Sequence, residues 1–153
     1  MRELSNVFQG ICAAKSDYYI KQPSVVRLWL HECYRVYGDR LVNQTDIERF
    51  DGELKQTCKQ CFADVADPEE LEALPNVFTS FASPVASGDP AYLPVADSTQ
   101  LKKVLEEKLA EYNESFAIMD LVLFEQAMEH ICRITRIIDQ PRGNALLVGV
   151  GGS

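Results

Sequence analysis

The chain has 153 residues, 46% of them hydrophobic, and a formal net charge of −8. That length and apolar content suit one domain, or one and a half, with a real core, and they exclude wholesale disorder. The acidic balance argues against nucleic acid and against an anionic membrane surface, both of which need a basic face, and no apolar run approaches the roughly 20 residues of a membrane span.

No basic-then-apolar signal segment opens the sequence. The five cysteines (Cys12, Cys33, Cys58, Cys61 and Cys132) are odd in number, and four fall on apolar faces of predicted helices, which points to a reducing compartment and buried free thiols. Cys58 and Cys61 form a lone CxxC without a second ligand pair, so they read as two helix positions one turn apart and not as a metal or redox site.

Taken in order, residues 3–14 read as a helix with one apolar face, because Leu4, Val7, Phe8, Ile11 and Cys12 recur at helical spacing. Residues 24–41 predict a long central helix that starts after Pro23 and carries two apolar stripes. Val25, Trp29, Cys33 and Val36 make one; Val26, Leu30, Tyr34, Tyr37 and Leu41 make the other. Between them runs a narrow polar line, Arg27, His31, Arg35 and Asp39, with Arg35–Asp39 as an i, i+4 ion pair. Thr45 and Glu48 have capping-box spacing, so a third helix is expected over 46–65 with Ile47, Phe50, Leu54, Cys58, Cys61, Phe62 and Val65 buried. Asp67 and Pro68 start a short fourth helix that Pro75 ends.

Residues 76–97 change character: 76–81 read as extended, and 83–94 read as a loop holding Pro84, Gly88, Pro90 and Pro94. Asp97 or Ser98 caps a fifth helix to about residue 114, with Leu101, Val104, Leu105, Leu109 and Tyr112 as its stripe. A sixth is expected over 121–138, burying Leu121, Phe124, Met128, Ile131, Thr135 and Ile138, with Leu123, Ala127 and Ile134 beside them. Gln140, Pro141, Arg142 and Gly143 make a turn. An apolar run of strand type then leads into Gly149, Val150, Gly151, Gly152 and Ser153.

A buried strand entering a glycine cluster is how a phosphate-binding loop begins. The pattern G-x-x-x-x-G-K followed by Ser or Thr needs glycine so that backbone N–H groups can wrap a phosphate. Gly149 fits the first glycine, and Val150, Gly151, Gly152 and Ser153 fit the four intervening positions. GGS alone is also what a flexible tail looks like, but LLVGVGGS after a Pro-Gly turn fits the loop better.

The run PRGNALLVGVGGS, with LVLFEQAMEHICRITRII and YNESF ahead of it, resembles the start of the fourth AAA+ module of a dynein heavy chain. RELSNVFQGI and VVRLWLHECYRVYGDRL resemble the opening helices of the small helical (lid) subdomain of the third module. HECYRVYGDRL and MEHICRI look more like axonemal than cytoplasmic chains. The resemblance covers nearly the whole chain and is weakest over 64–97. It implies a mainly α fold: an AAA+ lid bundle over 1–75, an extended Pro-rich segment over 76–97, a helical connector over 98–140, and an orphan first strand with a truncated Walker A loop over 141–153.

By the same resemblance the parent is an ATP-driven microtubule motor of cilia and flagella, in cytoplasm, cytoskeleton and axoneme. Its cofactors would be ATP or ADP with Mg. Its partners would be the neighbouring AAA+ modules, microtubules, and intermediate and light chains. The lid would cover a nucleotide and pass its state on, and Arg27 matches the placement of a "sensor 2" arginine facing the γ-phosphate. Otherwise Arg27 lies on a solvated face, and His31 reads as a surface or inter-domain histidine. Leu4 with Val7 or Phe8 would wall an adenine, or else serve as core. No catalytic residue and no metal ligand is expected here, no nucleotide is expected on these residues alone, and no ATPase activity is predicted for them. With its sheet absent, the 145–149 strand should fray or pair with another copy. Two other readings stay open: a free-standing acidic helical interaction module, and the N-terminal part of another P-loop NTPase.

Overall fold

The computed structural model describes residues 1–65, 67–81 and 90–149. It is mainly helical: α1 (Arg2–Cys12), α2 (Gln22–Val36), α3 (Gln44–Cys61), α4 (Pro68–Glu72), α5 (Ser98–Ser115) and α6 (Glu125–Asp139), with a two-stranded antiparallel sheet of β1 (Phe78–Thr79) and β2 (Leu93–Pro94). Phe78 pairs with Pro94 and Thr79 with Leu93.

The first four helices close one core. Val7 of α1, Val26, Leu30, Cys33 and Val36 of α2, Leu54 and Cys58 of α3 and Leu71 of α4 meet there. α2 carries Pro23 in its first turn as expected, but it ends at Val36 and continues only as a short 3-10 turn over Gly38–Arg40. Gly38, the poorest helix former of this stretch save the proline at its start, stands at that break. The Arg35–Asp39 pair forms at 3.1 Å nonetheless. The cap of α3 is Asn43 and not the expected Thr45: the Asn43 side chain accepts the Thr45 N–H at 3.0 Å. A side chain two positions earlier reaches the first free amide, so the helix starts sooner.

A second core joins α5 and α6 through Leu101, Leu105, Leu123, Met128 and Cys132, with Val95 beside them. Asp97 caps α5 by accepting the Gln100 N–H at 2.7 Å. α6 starts at Glu125, four residues later than expected. Leu121, Phe124 and Ile138, expected inside, are 50%, 57% and 62% exposed, whereas Leu123, expected beside them, is buried. The Asn113 amide grips both backbone groups of Met119, which fixes the reversal before α6 in an irregular conformation.

The described parts of the 76–97 stretch, 76–81 and 90–97, are more than an extended connector; 83–89 of the expected loop lie outside the described residues. Phe78 is 1% exposed and packs with Leu28 and Tyr92 in a third cluster that covers α2. Ile11 packs against both this cluster and the first, while Val77, next to Phe78 in the chain, packs against the second. The expected strand over 145–149 is absent: residues 144–149 are irregular, and Leu146 and Val148 are 91% and 86% exposed. No neighbouring strand among the described residues offers its backbone groups, and an apolar run without a ladder has nothing to hold it extended. Of the cysteines, Cys33, Cys58 and Cys132 are buried, whereas Cys12 and Cys61 are exposed, contrary to their assignment to buried stripes.

Candidate functional site

His31, in the middle of the polar line of α2, and Glu32 beside it face inward, while Arg27 and Arg35 are half-buried and Asp39 is exposed. The β pair covers His31 and Glu32 from one side and α6 from the other, so they are 3% and 0% exposed. A carboxylate in such a place costs several kcal/mol unless it is paired and bonded. Glu32 is paired by Arg136 of α6, whose Nε donates to Oε1 at 3.2 Å and to Oε2 at 3.0 Å and whose Nη2 also donates to Oε2. Burial opposes the charge on Arg136, but the bonds to Glu32 outweigh it and its pKa rises. Gly10 of α1 makes room: a Cβ there would lie 1.7 Å from Glu32 Oε2.

Tyr92 and His31 complete the network. The Tyr92 hydroxyl lies 2.8 Å from Glu32 Oε1 and 3.0 Å from His31 Nε2, with one proton for the two. His31 Nδ1 is 2.9 Å from the Asn76 carbonyl, so Nδ1 carries the hydrogen and the neutral ring accepts at Nε2. Burial, with Arg35 adding to it, pushes the imidazole down to about 3. Burial and the Glu32 charge push the Tyr92 phenol up. His31 is therefore an uncharged buried residue, not on the surface but held between α2 and residues Asn76 and Tyr92 of the following segment.

Arg27 lies on the same helix, one turn nearer its start. Its Nη1 donates to Glu70 O at 2.8 Å, and its Nη2 donates to Ala73 O at 2.9 Å and Pro75 O at 3.1 Å. The guanidinium thus caps the end of α4, whose last carbonyls have no helical partner. Asn76 returns the contact by donating to Arg27 O at 3.2 Å.

Residues 1–72 match the family described as AAA+ lid domain, and residues 119–153 match P-loop containing dynein motor region D4. Over its whole length the chain is 52% identical to "Dynein beta chain, ciliary" of Heliocidaris crassispina, 50% to dynein axonemal heavy chain 17 of Homo sapiens and 48% to the flagellar outer-arm beta chain of Chlamydomonas reinhardtii. The chain belongs to the axonemal dynein heavy chains. It spans about 3% of the length of these curated relatives, as a segment that runs from an AAA+ lid domain into the start of the D4 P-loop region.

In this dynein segment the Glu32–Arg136 pair falls between the two matched regions, since Glu32 lies in the lid match and Arg136 in the D4 match. The D4 match implies nucleotide binding in the parent heavy chain. Of the phosphate-loop residues, Gly149 is irregular and exposed, and Val150, Gly151, Gly152 and Ser153 lie outside the described residues. Arg27 and Gly149 bond to no common partner. Val7 is core at 2% exposure, while Leu4 and Phe8 are 50% and 57% exposed on α1. Sequence reasoning missed Glu32, Arg136 as its partner, Tyr92 and Gly10. One signal was available: Glu32 is an acid standing one turn from both Leu28 and Val36 on an otherwise apolar line of the helix.

Proposed function

We infer that this segment acts as the lid over a nucleotide held by the preceding module and as the relay from that lid to the next phosphate loop. The observation that supports it most is the buried Glu32–Arg136 pair. It fastens the central lid helix to α6, and α6 leads within ten residues to Gly149. A bidentate charged pair between two packed helices transmits displacement because stretching it exposes an unpaired buried charge. A lid that shifts with nucleotide would therefore carry α6, and with it the root of the loop.

ATP or ADP with Mg in the parent, the adjoining AAA+ modules as direct partners, and microtubules with intermediate and light chains through the parent belong to the same reading, as does work in the axoneme. The segment alone supplies no complete catalytic set and is expected to show no ATPase. Its divisions under this reading are the lid over 1–75, the segment over 76–97, the connector over 98–140 and the loop root over 141–153. Arg27 serves as the nucleotide-sensing arginine by exchange. Its fork would leave the three carbonyls of 70–75 for phosphate oxygens, trading neutral acceptors for charged ones and freeing the end of α4. Leu4 and Phe8, exposed on α1, offer an apolar face to a base.

The test is made in the complete heavy-chain motor. Arg136→Met should leave ATP binding at the third module intact yet remove the dependence of the fourth module's nucleotide affinity on the third module's state, and it should slow microtubule gliding. Arg27→Ala should weaken third-module affinity for ATP more than for ADP. Unchanged gliding and unchanged inter-module dependence in Arg136→Met would overturn the relay.

A further inference from the structure

Five of the chain's eight arginines (Arg35, Arg40, Arg133, Arg136 and Arg142) line one cavity of about 530 Å³, with Asp39 as the only acidic residue in its wall. This concentration is unusual in a chain of net charge −8. The cavity lies between the end of α2, the C-terminal half of α6 and the turn that follows it. Lysine is absent from its wall.

The arginines differ in how well they are satisfied. Arg136 is committed to Glu32, and Arg40 pairs with Glu3 at 3.3 Å in an exposed contact. Arg35 and Arg133 share one carboxylate oxygen, Asp39 Oδ1, at 3.1 and 3.6 Å, and Arg133 also meets Glu129 at 3.4 Å. The Nε–H groups of Arg35 and Arg133 are both buried and make no hydrogen bond among the described residues, that of Arg133 facing Asp39 Oδ1 from 3.6 Å, beyond hydrogen-bond reach. A buried donor left unpaired is costly, so the site gains from an acceptor placed between the two groups. Arg142, set at a positive φ of 61° in the turn, has no acidic partner among the described residues.

We propose that this cavity is an anion site that takes the phosphoryl group of a small phosphate-bearing ligand, separate from the partial phosphate loop. The donors come from three elements, α2, α6 and the turn after it, and so converge from different directions. A tetrahedral phosphate presents oxygens to all of them, whereas a planar carboxylate accepts along one edge. Phosphate also carries up to two negative charges, which suits guanidinium groups that outnumber the carboxylates around them. The inference does not depend on the lid-and-relay reading.

The experiment uses the heavy-chain motor saturated with ADP, so that the P-loop sites are filled, with inorganic phosphate as probe against chloride at equal ionic strength. Cryo-electron microscopy should show tetrahedral density within hydrogen-bond reach of Arg35 Nε and Arg133 Nε in phosphate only. Phosphate affinity, read by isothermal titration, should fall about ten- to a hundredfold in Arg133→Gln/Arg142→Gln, the loss expected from charged hydrogen bonds. The Arg2→Gln control should bind as the parent does. A cavity empty in both buffers, an unchanged affinity in the double variant, or a carboxylate from elsewhere in the heavy chain seated between the arginines would each overturn the proposal.

Discussion

Replacing Arg136 by methionine tests the central feature of this fold. The change removes every bond that Arg136 makes to a carboxylate that is 0% exposed and leaves the Tyr92 hydroxyl as the remaining donor. Breaking one side of a buried pair costs about 3–5 kcal/mol, because an uncompensated charge stays behind. Domains of this size are stable by roughly 5–15 kcal/mol, so Arg136→Met should take a large share of the total and lower Tm by on the order of 10 °C. Glu32→Leu should also destabilise, because it leaves the Arg136 guanidinium, 10% exposed, without its carboxylate, although the Tyr92 hydroxyl can then turn its proton to His31 Nε2 at 3.0 Å. Glu32→Leu/Arg136→Met should recover most of the loss, since it removes both charges together. The assay is urea unfolding followed by circular dichroism on the parent and the three variants. A loss below about 1 kcal/mol in Arg136→Met, or a double variant as unstable as the two singles combined, would refute the account of a buried, mutually dependent pair.

Further outcomes follow from the same geometry. Gly10→Ala should destabilise despite alanine's better helix propensity, because its Cβ would fall on a Glu32 carboxylate that is locked in place; Gly52→Ala, with nothing within 4 Å, should stabilise by about 0.5–1 kcal/mol, and thermal melts of the pair give the comparison. His31 has a folded pKa near 3, below its ordinary value of 6.5. Its contribution is therefore complete above pH 6.5 and is lost as pH falls toward 3, about 2 kcal/mol by pH 5, and unfolding across that range should show a pH slope that His31→Gln flattens. Cys12 and Cys61 should react rapidly with a thiol reagent in the native state, while Cys33, pushed up to about 12 by burial, and Cys132, pushed up to about 11, should stay protected. Amide exchange over 145–149 should be nearly unprotected, and slow exchange there in a dilute monomer would contradict the irregular conformation.

The sequence by itself determined the helical elements and the family. Helical periodicity placed α1, α3 and α5 to within a few residues, and Asp97, Pro23 and Pro68 marked starts that the structure keeps, because caps and prolines act on their own neighbours in the chain. The glycine-rich run and the lid helices carried the dynein resemblance through residue identity alone. Periodicity could not tell that His31 and Glu32 of α2 are inside. Their partners are Asn76, Tyr92 and Arg136, 45 to 104 residues away, and only the tertiary structure brings these groups together. The same holds for Gly10, whose missing side chain matters because of Glu32 on another helix, and for the arginine cavity, assembled from three separated stretches. It also holds for 145–149, where a strand-forming sequence stays irregular because a strand is a property of its neighbours as much as of its own residues.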